Sequence, residues 1–443
     1  QTTWQDGIFG TFARTSDLRV EAPGSSVVEA VRAAAAGVGP AHLNVQFDTP
    51  LVPEPGMPWW PGPLDPSLLQ GRANPTSGDD GPAALPLALA GGPRTVILAG
   101  DDAGPGARVL AEAAGVPLLA EPTSGSRAGG HAIRTYRLLL GTALGEAIER
   151  VVVIGHPTLS RPVTALLLRS DIDLYAVRSR TGVATDPARR AVVLDAPPVV
   201  ARGVDDGDWL TAWRAADSAL SSRVDALVEG LPDLHALHIA AEMSAALGPG
   251  QSLVVGSSNP IRDLDLMLVP YRPRERRLVV ANRGLAGIDG TISTAVGVDL
   301  GRSGAPRTLA VLGDLTFLHD SSGLFVGPDE PRPDLTLVVV NDDGGSIFAL
   351  LEQGGLDYAD AFERVFATPV HADLEALAAA SHTAYRRVES RRALRAVLAA
   401  PAHGPLVVEA RVSRADRRAT AAALATLAAD LAPSWPPSSG GMP

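Results

Sequence analysis

Two apolar runs, 308–312 and 335–340, end abruptly in acid and glycine: Gly313-Asp314-Leu315-Thr316 closes the first and Asn341-Asp342-Asp343-Gly344-Gly345 the second. Their length and β-branched content are those of buried parallel strands, and the residues between them suffice for one helical crossover. Both runs therefore deliver carboxylates to the same sheet edge. Hard oxygen ligands at the two strand ends, followed by a glycine pair where a backbone carbonyl can approach, suit Mg2+ holding a diphosphate. Two more strand ends carry unusual residues. Gly256-Ser257-Ser258-Asn259-Pro260-Ile261-Arg262 offers hydroxyls and an arginine at a helix start, a suitable anion site. The glycine-rich run 282–290 lets backbone approach a cofactor, with Ile288 as an apolar wedge between glycines.

Positioning such ends takes alternating strands and helices, and the chain supplies them. Strands are expected at 95–100, 117–120, 151–155, 174–177 and 191–194, an alternation that reads as a doubly wound parallel sheet. An amphipathic helix at 209–229 leads to helix 234–247, strands Ser252–Val255 and 278–281 and helix 291–298. After the acid-tipped strands come helices Leu374–Ala380 and 391–398, a strand at 406–410 and a last helix to about Leu431. Upstream, a helix at 25–36 and a strand at 41–47 run into a proline-rich connection, 48–66, where Trp59 and Trp60 read as packing anchors. The turn Gly104-Pro105-Gly106, with Glu121 after the next strand, imitates a dinucleotide fingerprint. Val109 replaces its third glycine and Pro105 stiffens it, so a packing turn is expected.

Composition narrows the chemistry. A chain of 443 residues holds two or three domains with real cores, and a net charge of −11 excludes nucleic acid as a general partner. There is no cysteine, which removes disulfides and thiolate nucleophiles; there is no lysine either, all 38 basic residues being Arg, which removes Schiff-base and Walker-loop chemistry. No apolar run approaches the ~20 residues that span a bilayer, and no signal pattern opens the chain, so no integral membrane segment and a cytoplasmic location are expected. The chain opens at Gln1, without Met, in what reads as domain interior; a preceding N-terminal portion is expected.

The acid-tipped pair resembles the thiamine diphosphate motif. Together, SSNPIRD (257–263), NRGLAGIDGTISTAVG (282–297), GDLTFLHD (313–320) and VVVNDDGGSIFALL (338–351) resemble the 2-succinyl-5-enolpyruvyl-6-hydroxy-3-cyclohexene-1-carboxylate synthase (MenD) family of menaquinone biosynthesis, and QTTWQDGIFG (1–10) resembles its pyrimidine-domain wall. The resemblance implies an α/β fold of three doubly wound parallel-sheet domains: 1–66, the C-terminal part of a pyrimidine-binding domain; 67–215, a middle domain; 216–432, a diphosphate-binding domain. Residues 433–443 would be a disordered tail. It implies a transferase that uses thiamine diphosphate and Mg2+, with Mn2+ an alternative, to decarboxylate 2-oxoglutarate and add the succinyl carbanion equivalent to isochorismate, in a homodimer or homotetramer with active sites between subunits.

By the same resemblance, Asp314, Asp342 and the Gly344 carbonyl bind the metal. Ala286, Gly287, Ile288, Gly313, Leu315, Thr316, Gly345 and Ile347, with those three, contact the cofactor, and Ile288 supports its bent form. Gln1, Arg161, Ser258, Arg262, Arg283, Ile347, Phe348 and Leu351 are the substrate-binding positions, Ser160 standing where some members have Lys. The family's metal-binding pair commonly reads Asn-Asn, so Asn341-Asp342 puts a second carboxylate on the metal. That is expected to raise metal affinity while repelling the diphosphate. The glutamate that protonates the cofactor's aminopyrimidine would precede Gln1. Another thiamine diphosphate carboligase or decarboxylase, or a non-catalytic remnant, stays open at this point.

Overall fold

The computed structural model describes residues 7–19, 28, 29, 31, 32, 41–46, 92–179, 182–198, 200, 207–232, 234–284, 287–302, 304–401 and 403–431. The expected helix at 25–36, apart from four of its residues, and the connection with Trp59 and Trp60 lie outside them, as does the tail. The chain divides into two compact units. The smaller, 1–85 with 178–184, pairs β1 (Arg14–Leu18) in parallel with β2 (Ala41–Val45), in register from Arg14↔Ala41 to Leu18↔Val45. No apolar pattern marks β1 (RTSDL). Its pairing is reinforced by polar contacts across the ladder, where Asp17 accepts from Asn44 at 2.6 Å and from Gln46 at 2.7 and 2.8 Å.

The larger unit, 86–177 with 185–443, contains two parallel sheets. The first runs β4-β3-β5-β6-β7, from β3 (Thr95–Ala99), β4 (Leu118–Ala120), β5 (Arg150–Ile154), β6 (Asp173–Val177) and β7 (Val192–Leu194). Helices α1 (Gly106–Ala114) and α2 (Arg161–Leu168) belong to it. Strands β3, β4 and β5 are buried along their whole length, which is why they read as unbroken apolar runs rather than alternating ones. Past the end of β3 the backbone of Gly100 meets the turn after β5 so closely that a Cβ would lie 1.9 Å from the Pro157 nitrogen. Only glycine fits there.

The long helix α3 (Asp208–Glu229) and α4 (Ala236–Ala246) lead into the second sheet, of order β12-β13-β11-β10-β8-β9. Its strands are β8 (Ser252–Val255), β9 (Leu278–Val280), β10 (Thr308–Gly313), β11 (Leu335–Asn341), β12 (Ala384–Val388) and β13 (Leu406–Arg411). Its helices are α5 (Asn259–Met267), α6 (Thr291–Leu300), α7 (Asp314–His319), α8 (Leu374–Ala380), α9 (Arg391–Ala399) and α10 (Arg417–Ala429). Side chains leave a strand alternately, so each strand feeds two cores. Val255, Val311 and Val338 pack with Met243 of α4, Ile261 of α5 and Leu394 of α9; Val254, Ala310 and Val339 pack with Ile292 of α6, Phe317 of α7 and Ala378 of α8. Each buried Val, Leu, Ile, Met or Phe among them contributes about 1.5–3 kcal/mol.

The crossover from β10 to β11 is the short α7 and a 3-10 turn (Ser321–Leu324) rather than one continuous helix. Likewise the stretch Ser346–Leu350 is 3-10, with half-buried side chains at Ile347 and Phe348, and Leu351 is extended. No helix among the described residues is long and apolar enough to cross a membrane.

Candidate active site

In the six-stranded sheet the chain goes from β8 to β9 on one side and returns to β10 on the other. Loops diverge at such a reversal and leave a crevice at the carboxyl ends of the strands. A cleft of about 580 Å3 lies there, within the roughly 300–1,000 Å3 usual for small-molecule sites.

The loops after β8 and β9 bring the cations. Ser258 sits at φ +71°, a left-handed conformation uncommon for serine, and opens α5 with Pro260 in its first turn. One turn on, Arg262 donates from Nη1 to the Ser258 carbonyl at 2.6 Å. Burial lowers the Arg262 pKa, and the positive charges of Arg283 and Arg137 push the same way. Arg283 donates from Nη2 to the carbonyl (3.2 Å) and hydroxyl (3.0 Å) of Thr158, in the turn after β5. Guanidinium groups set side by side with their charges mutually unfavourable are suited to an incoming carboxylate.

The loops after β10 and β11 bring the acids. Asp314 and Asp342 are 6% and 7% exposed. Burial, and secondly the charge of Asp342, pushes Asp314 up to about 7 against hydrogen bonds from the backbone of Leu315 and Gly344. Asp342 is raised by burial as well, opposed first by a hydrogen bond from the Ser346 hydroxyl. Ser346 Oγ in turn accepts from Asn259 Nδ2 at 2.8 Å, so the anion loop and the acid loop share one chain of hydrogen bonds. Asn341 is occupied structurally: its Nδ2 donates to Glu409 at 2.6 Å and its Oδ1 accepts the Asp343 N–H at 3.1 Å. Arg414 donates to the carbonyls of Asp342 and Asp343, both at 2.6 Å. Gly344, at φ +144°, presses against the Ala367 carbonyl, where a Cβ would come within 2.3 Å.

Two buried carboxylates on one wall, one raising the other, form an oxygen donor set that a divalent cation would relieve. Among the described residues no cluster of three or more His, Asp or Glu side chains assembles. A metal here would be held by these two carboxylates and turn carbonyls. Both the donor chemistry and the glycine turn fit Mg2+ bearing a diphosphate.

Of the residues expected at the site, Ser258, Arg262, Arg283, Gly287, Ile288, Gly313, Asp314, Leu315, Thr316, Asp342, Gly344, Gly345, Ile347, Phe348 and Leu351 line this one cleft. Arg161 does not line it. It makes a two-point contact with Glu352, at 2.9 and 3.1 Å, both side chains being largely exposed. Gln1 and Ala286 lie outside the described residues. Thr158 and Arg417 line the cleft without having been expected. Arg417, 5% exposed, pairs with Asp263 at 2.8 Å, and that acid closing the SSNPIRD run was the available signal.

Parallel sheets covered by helices, with the site at a strand-order reversal, define an α/β enzyme of the thiamine diphosphate-dependent fold type. No family model matches the chain. Curated relatives do. The chain is 52% identical over 426 residues to a 2-succinyl-5-enolpyruvyl-6-hydroxy-3-cyclohexene-1-carboxylate synthase of a Nocardioides species, covering 94% of this chain and 75% of the relative. It is 46% identical over 384 residues to the enzyme of that name from Kineococcus radiotolerans (84% and 66% covered) and 41% over 441 residues to that of Paenarthrobacter aurescens (95% and 75%). The chain belongs to the 2-succinyl-5-enolpyruvyl-6-hydroxy-3-cyclohexene-1-carboxylate synthase family.

Proposed function

We propose that this chain carries the family's reaction: Mg2+- and thiamine diphosphate-dependent decarboxylation of 2-oxoglutarate and transfer of the resulting succinyl unit to isochorismate. One observation carries the reading. Asp314 and Asp342 share a single cleft with Arg262 and Arg283, so a metal-diphosphate anchor and a carboxylate-binding wall face the same space.

In this reading Asp314, Asp342 and the Gly344 carbonyl hold the cation, with Mn2+ as a substitute. Gly313, Leu315 and Thr316, at the start of α7, hold the diphosphate together with Gly345. Gly287 and Ile288 flank the cofactor, Ala286 beside them, and Ile347 meets it from the opposite loop. Thiamine diphosphate supplies, when bound, the electron sink for loss of CO2 and for carbon–carbon bond formation. The chain's own residues bind and orient. Arg262, Arg283 and Ser258 take substrate carboxylates, and the chain Asn259–Ser346–Asp342 keeps the second metal acid in one rotamer. Ile347, Phe348 and Leu351 form an apolar wall that keeps water from the reacting carbon. Gln1 and Arg161 complete the substrate set by the family's pattern, with domains at 1–66, 67–215 and 216–432 and a homo-oligomer whose sites lie between subunits.

The test is direct. With Mg2+, thiamine diphosphate and 2-oxoglutarate, isochorismate absorbance falls as CO2 is released, and leaving out 2-oxoglutarate stops both. Release of CO2 with isochorismate untouched would move the assignment to a carboligase with another acceptor.

A further inference from the structure

Glu121, the acid that imitates a ribose ligand in the sequence, is spent elsewhere. It follows β4 directly and is 1% exposed. Its Oε1 accepts the Leu159 N–H at 3.0 Å, and the Thr158 N–H also reaches the carboxyl. Both donors lie in the turn after β5, the turn whose Thr158 offers its carbonyl and hydroxyl oxygens to Arg283 Nη2. An arginine presents five N–H groups in a rigid fork. Anchoring one end of that fork on Thr158 fixes the direction of the rest, and Arg283 lines the cleft.

We propose that Glu121 is the positioning residue for Arg283: by tying down the turn at Thr158 and Leu159, it holds the guanidinium at the angle at which it meets an anionic substrate. The inference rests on the reading of Arg283 as a carboxylate-binding residue. The charge balance agrees with the geometry. Burial, then the charge of Asp265, pushes Glu121 up to about 8, opposed by the Leu159 and Thr158 N–H groups and by Arg283. Near pH 7 the carboxyl is therefore mostly neutral. It can hold the turn without competing with substrate for the nearby charges of Arg283 and Arg262. Asp265 on α5, Tyr136 and Arg262 also feel its charge, and Asp101 acts on Arg283 from the turn after β3.

The experiment is a double-mutant cycle on the full protein, reading KM and kcat for 2-oxoglutarate and isochorismate. Arg283→Ala raises the KM of at least one of these acids by about 10–100-fold. Glu121→Ala, which removes both acceptor oxygens, raises the same KM by roughly 3–10-fold with kcat within about twofold, and the double Glu121→Ala, Arg283→Ala variant is no worse than Arg283→Ala alone. Glu121→Gln, which keeps one acceptor oxygen in the shape of the neutral acid, holds KM near the wild-type value at pH 7. Above about pH 8 the wild-type KM climbs as Glu121 ionises; in Glu121→Gln that climb is gone. Thr158→Ala, which removes one acceptor from Arg283 and leaves Glu121 in place, raises the same KM should Glu121→Ala fold poorly, and an unchanged KM in it would overturn the inference. Additive effects of Glu121→Ala and Arg283→Ala would overturn the inference while leaving the cleft assignment intact. An Arg283→Ala enzyme with both KM values unchanged would sink the cleft assignment and the inference together.

Discussion

Buried charge is handled in opposite ways at two places in the larger unit. Where β4 and α5 meet, Arg127 is 1% exposed and donates to the carbonyls of Ala120 (2.6 Å), Leu268 (3.0 Å), Arg134 (3.2 Å) and Asp265 (2.6 Å), and to the Asp265 carboxylate at 3.1 Å. The Tyr136 hydroxyl adds a further bond to that carboxylate at 3.0 Å. Charge is matched within the fold: Arg137 Nη1 stands 3.7 Å from the second Asp265 oxygen, the one that receives no hydrogen bond. At the ends of β10 and β11, Asp314 and Asp342 are nearly as deep, yet the second-largest influence on Asp314 is the negative charge of its neighbour. A matched buried ion belongs to the architecture, whereas a mismatched one is held in readiness for something that arrives from outside.

That contrast can be broken by substitution. Arg127→Met leaves Asp265 buried without its main cation and should cost about 3–5 kcal/mol in urea unfolding; a loss under about 1 kcal/mol would put this network on a par with surface pairs. Asp342→Asn should act with the opposite sign in metal-free protein, raising stability by about 1 kcal/mol as repulsion at Asp314 is relieved. The same variant should lose part of the stabilisation conferred by Mg2+ and thiamine diphosphate, about 2.7 kcal/mol for wild type at a hundred times Kd, because the asparagine keeps an oxygen donor but not its charge. Equal cofactor-induced shifts in Tm for both proteins would remove Asp342 from the metal.

Glu121 sharpens the comparison, being buried and hydrogen-bonded but without a salt-bridged cation among the described residues. Its pKa in the fold, about 8, lies above the ordinary 4.5, so between those values the native state binds more protons than the unfolded chain. The stability it contributes is complete below about pH 4.5 and disappears as pH rises through about 8. Unfolding curves across that window should slope downward in wild type and flatten in Glu121→Gln. At the small end stands the pair of Arg161 and Glu352, both side chains about 70% exposed. Arg161→Ala should leave Tm unchanged within error, so any effect it has on KM reports binding rather than folding.

Much of this was legible because burial on both faces writes an unmistakable signature. Strands β3, β5, β10 and β11 are continuous apolar runs, and the polar ends of β10 and β11 name the cleft. Edge strands write no such signature. β12 reads AYRRV and lies at the rim of its sheet, where one hydrogen-bonding side is open and charged side chains are tolerated, so nothing in its pattern marked it. The cleft residues that sequence reasoning missed share a different cause. Thr158 belongs to the other sheet and Arg417 to the last helix, and only tertiary packing brings either to loops more than a hundred residues away. Arg161 shows the converse. Its motif placed it in a site, while in the fold its fork is filled by Glu352.

The contact at Gly344 has a further consequence. The Gly345 N–H bonds to the Ala367 carbonyl at 2.7 Å, so the excursion 346–366 departs and returns at nearly one point. That excursion packs on itself, Phe348 against Phe366 with ring centres 5.8 Å apart and Phe362 against Phe366 at 6.2 Å. It carries Ile347, Phe348, Leu351 and Glu352, whereas Asp342 lies ahead of the neck, its carbonyl held by Arg414, which also pairs with Glu363 of the excursion. Past Ser346, which holds the Asp342 carboxyl, the segment is thus an exchangeable cassette: its length and side chains can drift to reshape one wall of the cleft while Asp314 and Asp342 stay where they are.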